Sequence, residues 1–406
     1  MREGRMHAAV AALAAAVAIA VAAPGASANG GASLEARAVL PAETFAAGPP
    51  SGALIGPGPF NGVTPPFASQ PVQGISAVLP AGWGRYWLMP DNGYGAKTNS
   101  SDFLLRVYRT RPHFEWPLGF GSGTVQILDW ISLNDADENV PFAITNAAGE
   151  RHLTGADFDI ESMRRPGDGT IWFGEEFGPF LLHTDEDGTL LEAPVPLPGV
   201  KSPQNPMLAP GEIANLPASG GFEGMAMSPD GSTLYPMLEK AITTDSDQSR
   251  RFIYEFDVAS GSYTGDTWQY RMEAPGNAIG DLTQIDRHRM LVIERDSGQG
   301  ATALFKRIYL VDLRKTDADG YLLKRDLVDL MNIWDPFQIS LPARPGDLGL
   351  GTWFTFPFLT IESVLPLGNG RLLVINDNNF PFSAGRNPAL PDDTELIRLR
   401  VPGLLR

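Results

Sequence analysis

A chain of 406 residues with no cysteine and a formal net charge of −16 excludes several function classes at once. Without thiols there are no disulfide frameworks, thiolate metal sites or cysteine nucleophiles, and the acidity argues against nucleic acid or an anionic membrane as partner. It leaves a small anionic substrate open, because a bound divalent cation inverts the local field.

The first element in chain order is a leader. Arg2 and Arg5 precede an alanine- and valine-rich run from about Ala8 to Ala23, and Ala26-Ser27-Ala28 supplies the small residues that a signal peptidase reads. The run is short for a membrane span, which needs roughly 20 residues, and no later segment approaches that length. The expectation is an exported protein, periplasmic or extracellular, cleaved near Ala28 and not stably inserted in a membrane. Residues 1–28 are then signal peptide, 29–35 a flexible segment and 36–406 one domain.

Across the whole chain, 44 glycines and 35 prolines come too often for long helices. Between them lie short strand-like runs: Arg85–Met89, Phe103–Tyr108, Thr124–Leu128, Thr170–Phe173, Arg251–Val258, Met290–Ile293, Arg307–Leu313 and Arg371–Ile375. Turn residues stand where hairpins need them, at Gly167-Asp168-Gly169, Asp187-Gly188, Pro229-Asp230-Gly231 and Gly368-Asn369-Gly370. Only Ala318–Asn332 suggests a short helix.

One phrase returns five times: an apolar residue, a small polar or acidic one, an apolar strand, a turn, a second apolar strand, then acids or amides. The copies start at Ile75-Ser76, Ile160-Glu161, Phe222-Glu223, Leu282-Thr283 and Ile361-Glu362. They end at Asp91-Asn92-Gly93, Glu175-Glu176, Glu239-Lys240, Glu294-Arg295-Asp296 and Asn376-Asp377. Spaced as one four-stranded blade plus loops, they predict an all-β protein, a β-propeller of five or six blades with long inter-blade loops. Ala36–Leu40 is placed to pair with Leu396–Arg400 and seal the ring. Recurrent turn signals also occur in β-sandwiches, the alternative architecture. The long connections Asn134–Arg151, Ala193–Gly220 and Asn332–Pro357 are where substrate choice would reside.

A hairpin returns the start of its first strand and the end of its second to one edge, so a radial array concentrates these polar residues at a common mouth. The entry column is Ser76, Glu161, Glu223, Thr283 and Glu362. The exit column is Asp91, Glu175 or Glu176, Glu239, Glu294 or Asp296, and Asp377. Carboxylates so crowded must be protonated, paired or bound to a cation. Oxygen-only donors suit Ca²⁺, or Mg²⁺, over Zn²⁺, with Asp91, Glu161, Glu223, Glu362 and Asp377 as the candidate ligands. Lys240 and Arg295 follow repeat acids directly and are candidates to meet an anionic substrate, with Lys97 a third. Each also has a structural reading as the partner of a neighbouring acid, Glu239 or Glu294. His152, at a repeat entrance, is the histidine to consider as a proton carrier. There is no G-x-S-x-G elbow and no glycine-rich nucleotide loop.

With Asp157-Phe158-Asp159-Ile160-Glu161-Ser162, Trp172-Phe173-Gly174-Glu175-Glu176-Phe177-Gly178, Gly221-Phe222-Glu223-Gly224-Met225-Ala226, Glu294-Arg295-Asp296 and Lys306-Arg307-Ile308-Tyr309-Leu310-Val311-Asp312 on the page, the chain resembles the bacterial proteins grouped as "esterase-like activity of phytase". The resemblance runs from about Ala36 to Leu399. It implies hydrolysis of phosphate esters, mono- or diesters. The resulting expectation is a secreted, metal-dependent phosphoric ester hydrolase in which Glu175 or Glu176 takes a proton from water while Lys240 and Arg295 steady the phosphate. A lactonase or carboxylesterase using a similar central ion is the alternative, and a non-catalytic ligand-binding propeller the third reading.

Overall fold

Alternation along each strand sends successive side chains to opposite faces of a sheet, and here both faces of every sheet meet a neighbour. Leu291 and Ile293 pack towards Val364, Leu372 and Val374, while Met290 and Val292 pack towards Ala226, Met237 and Ile253. The same division recurs at each junction between sheets, giving one apolar core per interface. The computed structural model describes residues 31–405, so the expected leader and its cleavage site lie outside the described residues. No helix among them is long and apolar enough to cross a membrane.

Five four-stranded antiparallel blades form the ring. Blade 1 comprises Ile75–Pro80, Tyr86–Pro90, Arg106–His113 and Thr124–Ser132, and blade 2 Ile160–Arg164, Thr170–Glu175, Phe180–Asp185 and Val195–Pro196. Blade 3 comprises Phe222–Met227, Thr233–Leu238, Arg250–Asp257 and Ser262–Arg271, and blade 4 Ala278–Gln284, Arg289–Arg295, Lys306–Thr316 and Leu322–Asp329. Blade 5 takes Ser363–Gly368, Arg371–Ile375 and Thr394–Arg400 from the end of the chain and its outermost strand, Ser33–Leu40, from the beginning. The expected pairing of Ala36–Leu40 with Leu396–Arg400 is there, with Ala38 opposite Leu396. The strand begins at Ser33, inside the segment 29–35 expected to be flexible. The five first strands touch in a closed circle around the axis.

One expectation fails. The stretch 318–332 is not a helix: Leu322–Asp329 is the outer strand of blade 4, paired to Lys306–Thr316. Asp317 closes the preceding turn by accepting the Asp319 and Tyr321 amides, and the polar strand that follows has only Leu322 and Val328 to bury.

The strand directions separate two rims. First strands start and second strands end at the upper rim, and the connections between blades, 41–74, 133–159, 197–221, 272–277 and 330–362, join there too. The lower rim carries the short turns 81–85, 165–169, 228–232, 285–288 and 369–370.

Candidate active site

The register explains how the upper rim gathers its acids. In blades 1 to 4 the first hairpin skips one residue just after the strand begins: Ser76, Glu161, Glu223 and Gly280 fall between Ile75/Ala77, Ile160/Ser162, Phe222/Gly224 and Ile279/Asp281. A bulge of this kind re-aims one side chain out of the alternating pattern. In blade 5 Glu362 holds the matching place, directly before Ser363, which pairs with Ile375. Across from each bulge the exit residue stands two past the partner of Ala77, Ser162, Gly224, Asp281 or Ser363, the residue that follows the bulged position: Asp91, Glu176, Glu239, Arg295 and Asp377.

This corrects both blade 4 positions, whose exit residue is Arg295 and not Glu294 or Asp296. The entry position of blade 4 is Gly280, not Thr283, which pairs with Leu291 further along the strand and lines a groove with Gln284, Ile285 and Leu365. A side chain at 280 is excluded, since a Cβ there would stand 2.1 Å from the Ile361 carbonyl oxygen. Blade 4 therefore offers glycine and arginine where the other blades offer acids, serine apart.

Carboxylate oxygens of Glu161, Glu223 and Glu362 lie within 4.8 Å of one another, and so do oxygens of Asp159, Glu161 and Glu176. Asp159, two residues before Glu161, was not among the expected site residues. All five are buried, between 2% and 7% exposed. Glu161 Oε2, Glu223 Oε1, Glu176 Oε1 and Asp159 Oδ1 have no hydrogen-bond partner. Burial, reinforced by the neighbouring carboxylates, pushes Glu161, Glu176 and Glu223 well above the ordinary carboxylate range and Glu362 up to about 8. Asp159 rises to about 6, burial outweighing its hydrogen bonds to Glu161 and Asn92. Ser76 Oγ donates to Glu362 Oε2 at 3.1 Å.

Asp91 and Asp377 flank this group. Asp91 Oδ1 accepts the Gly93 amide at 2.7 Å; Asp377 accepts the Asn379 amide at 2.6 Å and the Thr360 hydroxyl at 2.8 Å. Both are raised, by burial first.

Arg295 is buried inside the ring, its guanidinium 3.1 Å from Glu362 and 3.5 Å from Glu239. Its partner is not Glu294, which points to the other face and accepts from Tyr270, Asn277, Lys324 and the Glu273 amide. Arg295 Nε has no acceptor. Lys240 reaches Glu239 at 3.2 Å but also donates to the carbonyls of Ala218 and Ser219, so its three donors are in use.

Four further candidates have other work. Glu175 accepts the amides of Phe177, Gly178 and Phe180 and so pins the turn after its strand. Asp296 holds Lys306 at 2.9 Å and the amides of Leu304 and Phe305. Lys97 lies over the Phe177 ring, 5.3 Å from its centroid, and burial lowers its pKa despite Glu175 and Asp157 nearby. His152 pairs with Glu150 at 2.8 Å and bridges to Asn134, just past the outer strand of blade 1 and away from the axis.

Every donor in the central group is an oxygen, and four of these atoms are buried without a hydrogen-bond partner. Such a set fits a hard divalent cation, with Glu161, Glu223 and Glu362 as one of its two close groups.

Among known proteins, an uncharacterized secreted protein of Arthroderma benhamiae is 25% identical over 198 residues, which cover 39% of this chain and 38% of that protein's length. The fold is similar to that of the PQQ-bound aldose sugar dehydrogenase of Streptomyces coelicolor (13% identity, 93% of this chain and 100% of that one, TM-score 0.38). It is also similar to the Dos1 propeller (10% identity, 82% and 68%, TM-score 0.33) and to a luciferin-regenerating enzyme (14%, 80% and 77%, TM-score 0.36). The family model described as "Phytase-like: Esterase-like activity of phytase" matches residues 70–380, across all five blades, and the chain belongs to that family.

Proposed function

We propose that the protein is a secreted, metal-dependent phosphoesterase whose site is the axial end of the upper rim. The observation that carries this reading is the group of buried, hydrogen-bond-free carboxylate oxygens facing Arg295. Family membership and the secreted relative support it.

Glu161, Glu223 and Glu362 would hold the cation, with Asp91 and Asp377 beside them; Ca²⁺ suits the donors best and Mg²⁺ next. Bound there, a divalent ion supplies charge for a phosphoryl oxygen and a lowered pKa for an attacking water. Glu176 is the proton acceptor of choice between the two adjacent glutamates: its Oε1 is unoccupied, and burial with the neighbouring Glu239 raises its affinity for a proton. Arg295 offsets Glu239 and Glu362 and keeps one unpaired donor, Nε, for an anionic group. Lys240 positions the connection at 218–219 instead of contacting substrate.

The test is a hydrolase panel on chelator-stripped protein, with Ca²⁺, Mg²⁺ and Mn²⁺ restored separately. Turnover of phosphate mono- or diesters that returns only with metal is the expected outcome. Metal-dependent turnover of lactones or carboxylic esters alone would move the site to that chemistry, and silence across the panel would leave a ligand-binding propeller.

A further inference from the structure

The central acids are two overlapping groups, not one. Asp159, Glu161 and Glu176 converge on the blade 2 side, and Glu161, Glu223 and Glu362 converge across blades 2, 3 and 5. Glu161 belongs to both. Each group holds buried oxygens without a hydrogen bond: Asp159 Oδ1 and Glu176 Oε1 in the first, Glu223 Oε1 in the second, and Glu161 Oε2 in common. A single ion with oxygen distances of about 2.3–2.6 Å can draw on one group at a time and leaves the other's orphaned oxygens uncompensated.

Charge leads the same way. Asp91, Asp159, Glu161, Glu176, Glu223, Glu239, Glu362 and Asp377 stand against Arg295 and Lys240, a formal excess of six negative charges when all are ionised. One divalent cation still leaves an anionic mouth that repels a phosphate; a second brings the count close to balance.

We propose that the site binds two divalent cations bridged by the Glu161 carboxylate, the first held with Glu223 and Glu362 and the second with Asp159 and Glu176, which makes Glu176 a ligand in place of the proton acceptor of the single-cation reading. The proposal deepens the phosphoesterase reading and rests on it for the substrate, but the metal count stands apart from activity. Two bridged cations present two contact points to one phosphoryl group, so the substrate class is an ester with at least two unesterified phosphoryl oxygens available to metal.

The experiment is metal stoichiometry on the full, chelator-stripped protein, by native mass spectrometry and calorimetry with Ca²⁺ alone, and by electron paramagnetic resonance with Mn²⁺ alone. Wild type should bind two ions and give the signal of an exchange-coupled Mn²⁺ pair. Asp159→Asn should bind one Ca²⁺ and give an uncoupled signal while retaining the site of Glu223 and Glu362. Glu223→Gln should likewise fall to one, and Glu161→Gln should lose both or weaken both at least tenfold. Circular dichroism checks each fold, and Glu176→Gln replaces Asp159→Asn if that variant does not fold. One ion in wild type, or an unchanged count in both Asp159→Asn and Glu176→Gln, overturns the two-cation site but leaves the single-metal phosphoesterase standing. No ion in wild type removes both. Two ions with no phosphoesterase turnover keep the pair and remove the function.

Discussion

Glu395 and Glu223 are both almost fully buried glutamates in the upper half of the ring, yet their electrostatics are opposite. Glu395 sits in the seam of blade 5 between two arginines, Arg37 at 2.7 Å and Arg386 at 2.8 Å. Burial alone would raise its pKa, but the two guanidiniums outweigh that and hold it at about 2. Glu223 has the same burial, faces Glu362, Glu239 and Glu176, and is driven well above the ordinary range, with Arg295 only a partial offset. Buried acid therefore does not by itself mark a site. What separates the axis from the seam is the missing counter-charge, and an oxygen left without a partner inside a fold is a place for something the chain does not supply.

The contrast can be broken most forcefully at the seam. Glu395→Gln strands two buried arginines and should cost about 3–5 kcal/mol in denaturant unfolding. Because the folded pKa of Glu395 is depressed, its stabilisation is complete above the ordinary carboxylate pKa and is lost as pH falls towards about 2. Wild type should shed stability through that window, and the variant should lose this part of the slope. An unfolding curve that matches wild type would dissolve the distinction.

At the axis the largest expected effect is on turnover. Arg295→Met should lower phosphoesterase activity about 100- to 1000-fold, the loss typical of one preorganised charge donor. Arg295 is buried between two acids, so activity should be compared at saturating metal. Undiminished turnover would make Arg295 a purely structural partner.

Chelation sharpens the contrast next. An ion bound only by the folded state at a hundredfold excess over its Kd contributes about 2.7 kcal/mol, so stripping should lower the Tm, while Glu395→Gln should leave the size of that drop unchanged. A metal-independent melting curve would remove the cation from the axis. Within stripped protein, Glu223→Gln should raise stability by on the order of 1 kcal/mol near neutral pH by relieving like-charge repulsion, the reverse sign of the seam variant. Chemical unfolding of the stripped proteins decides it.

The smallest effect belongs to the lower rim. Trp83, 91% exposed at the turn of blade 1 with φ of 55°, can become asparagine with a change within about 0.5 kcal/mol and no change in turnover. Lost turnover in Trp83→Asn would extend the site beyond the upper rim.

Much of this was legible in the sequence because hairpins announce themselves by turn residues and apolar alternation. The five hairpins and the sealing strand follow from local chemistry, and the convergence of Glu161, Glu223 and Glu362 follows from the repeat. What the repeat does not fix is which of two adjacent residues faces the axis. Glu175 and Glu176, or Glu294 and Arg295, lie on opposite sides of the chain, and only the bulge one strand away decides between them. Blade 4 was aligned three residues late because Gly280 breaks the acidic pattern at the position where the Ile361 carbonyl leaves no room for a side chain. Asp159 was visible two residues before Glu161, but its role depends on Glu176 arriving from the partner strand.

The seam has one more consequence, in the order of events during synthesis. Arg37 and Glu395, which clasp blade 5, are 358 residues apart in the chain. Until the strand Thr394–Arg400 has emerged, Ser33–Leu40 has no edge to complete, and blade 5 cannot present its inner face to blades 1 and 4. Closure of so long a span comes late and makes folding slow. The growing chain is thus kept open until its last strand is made.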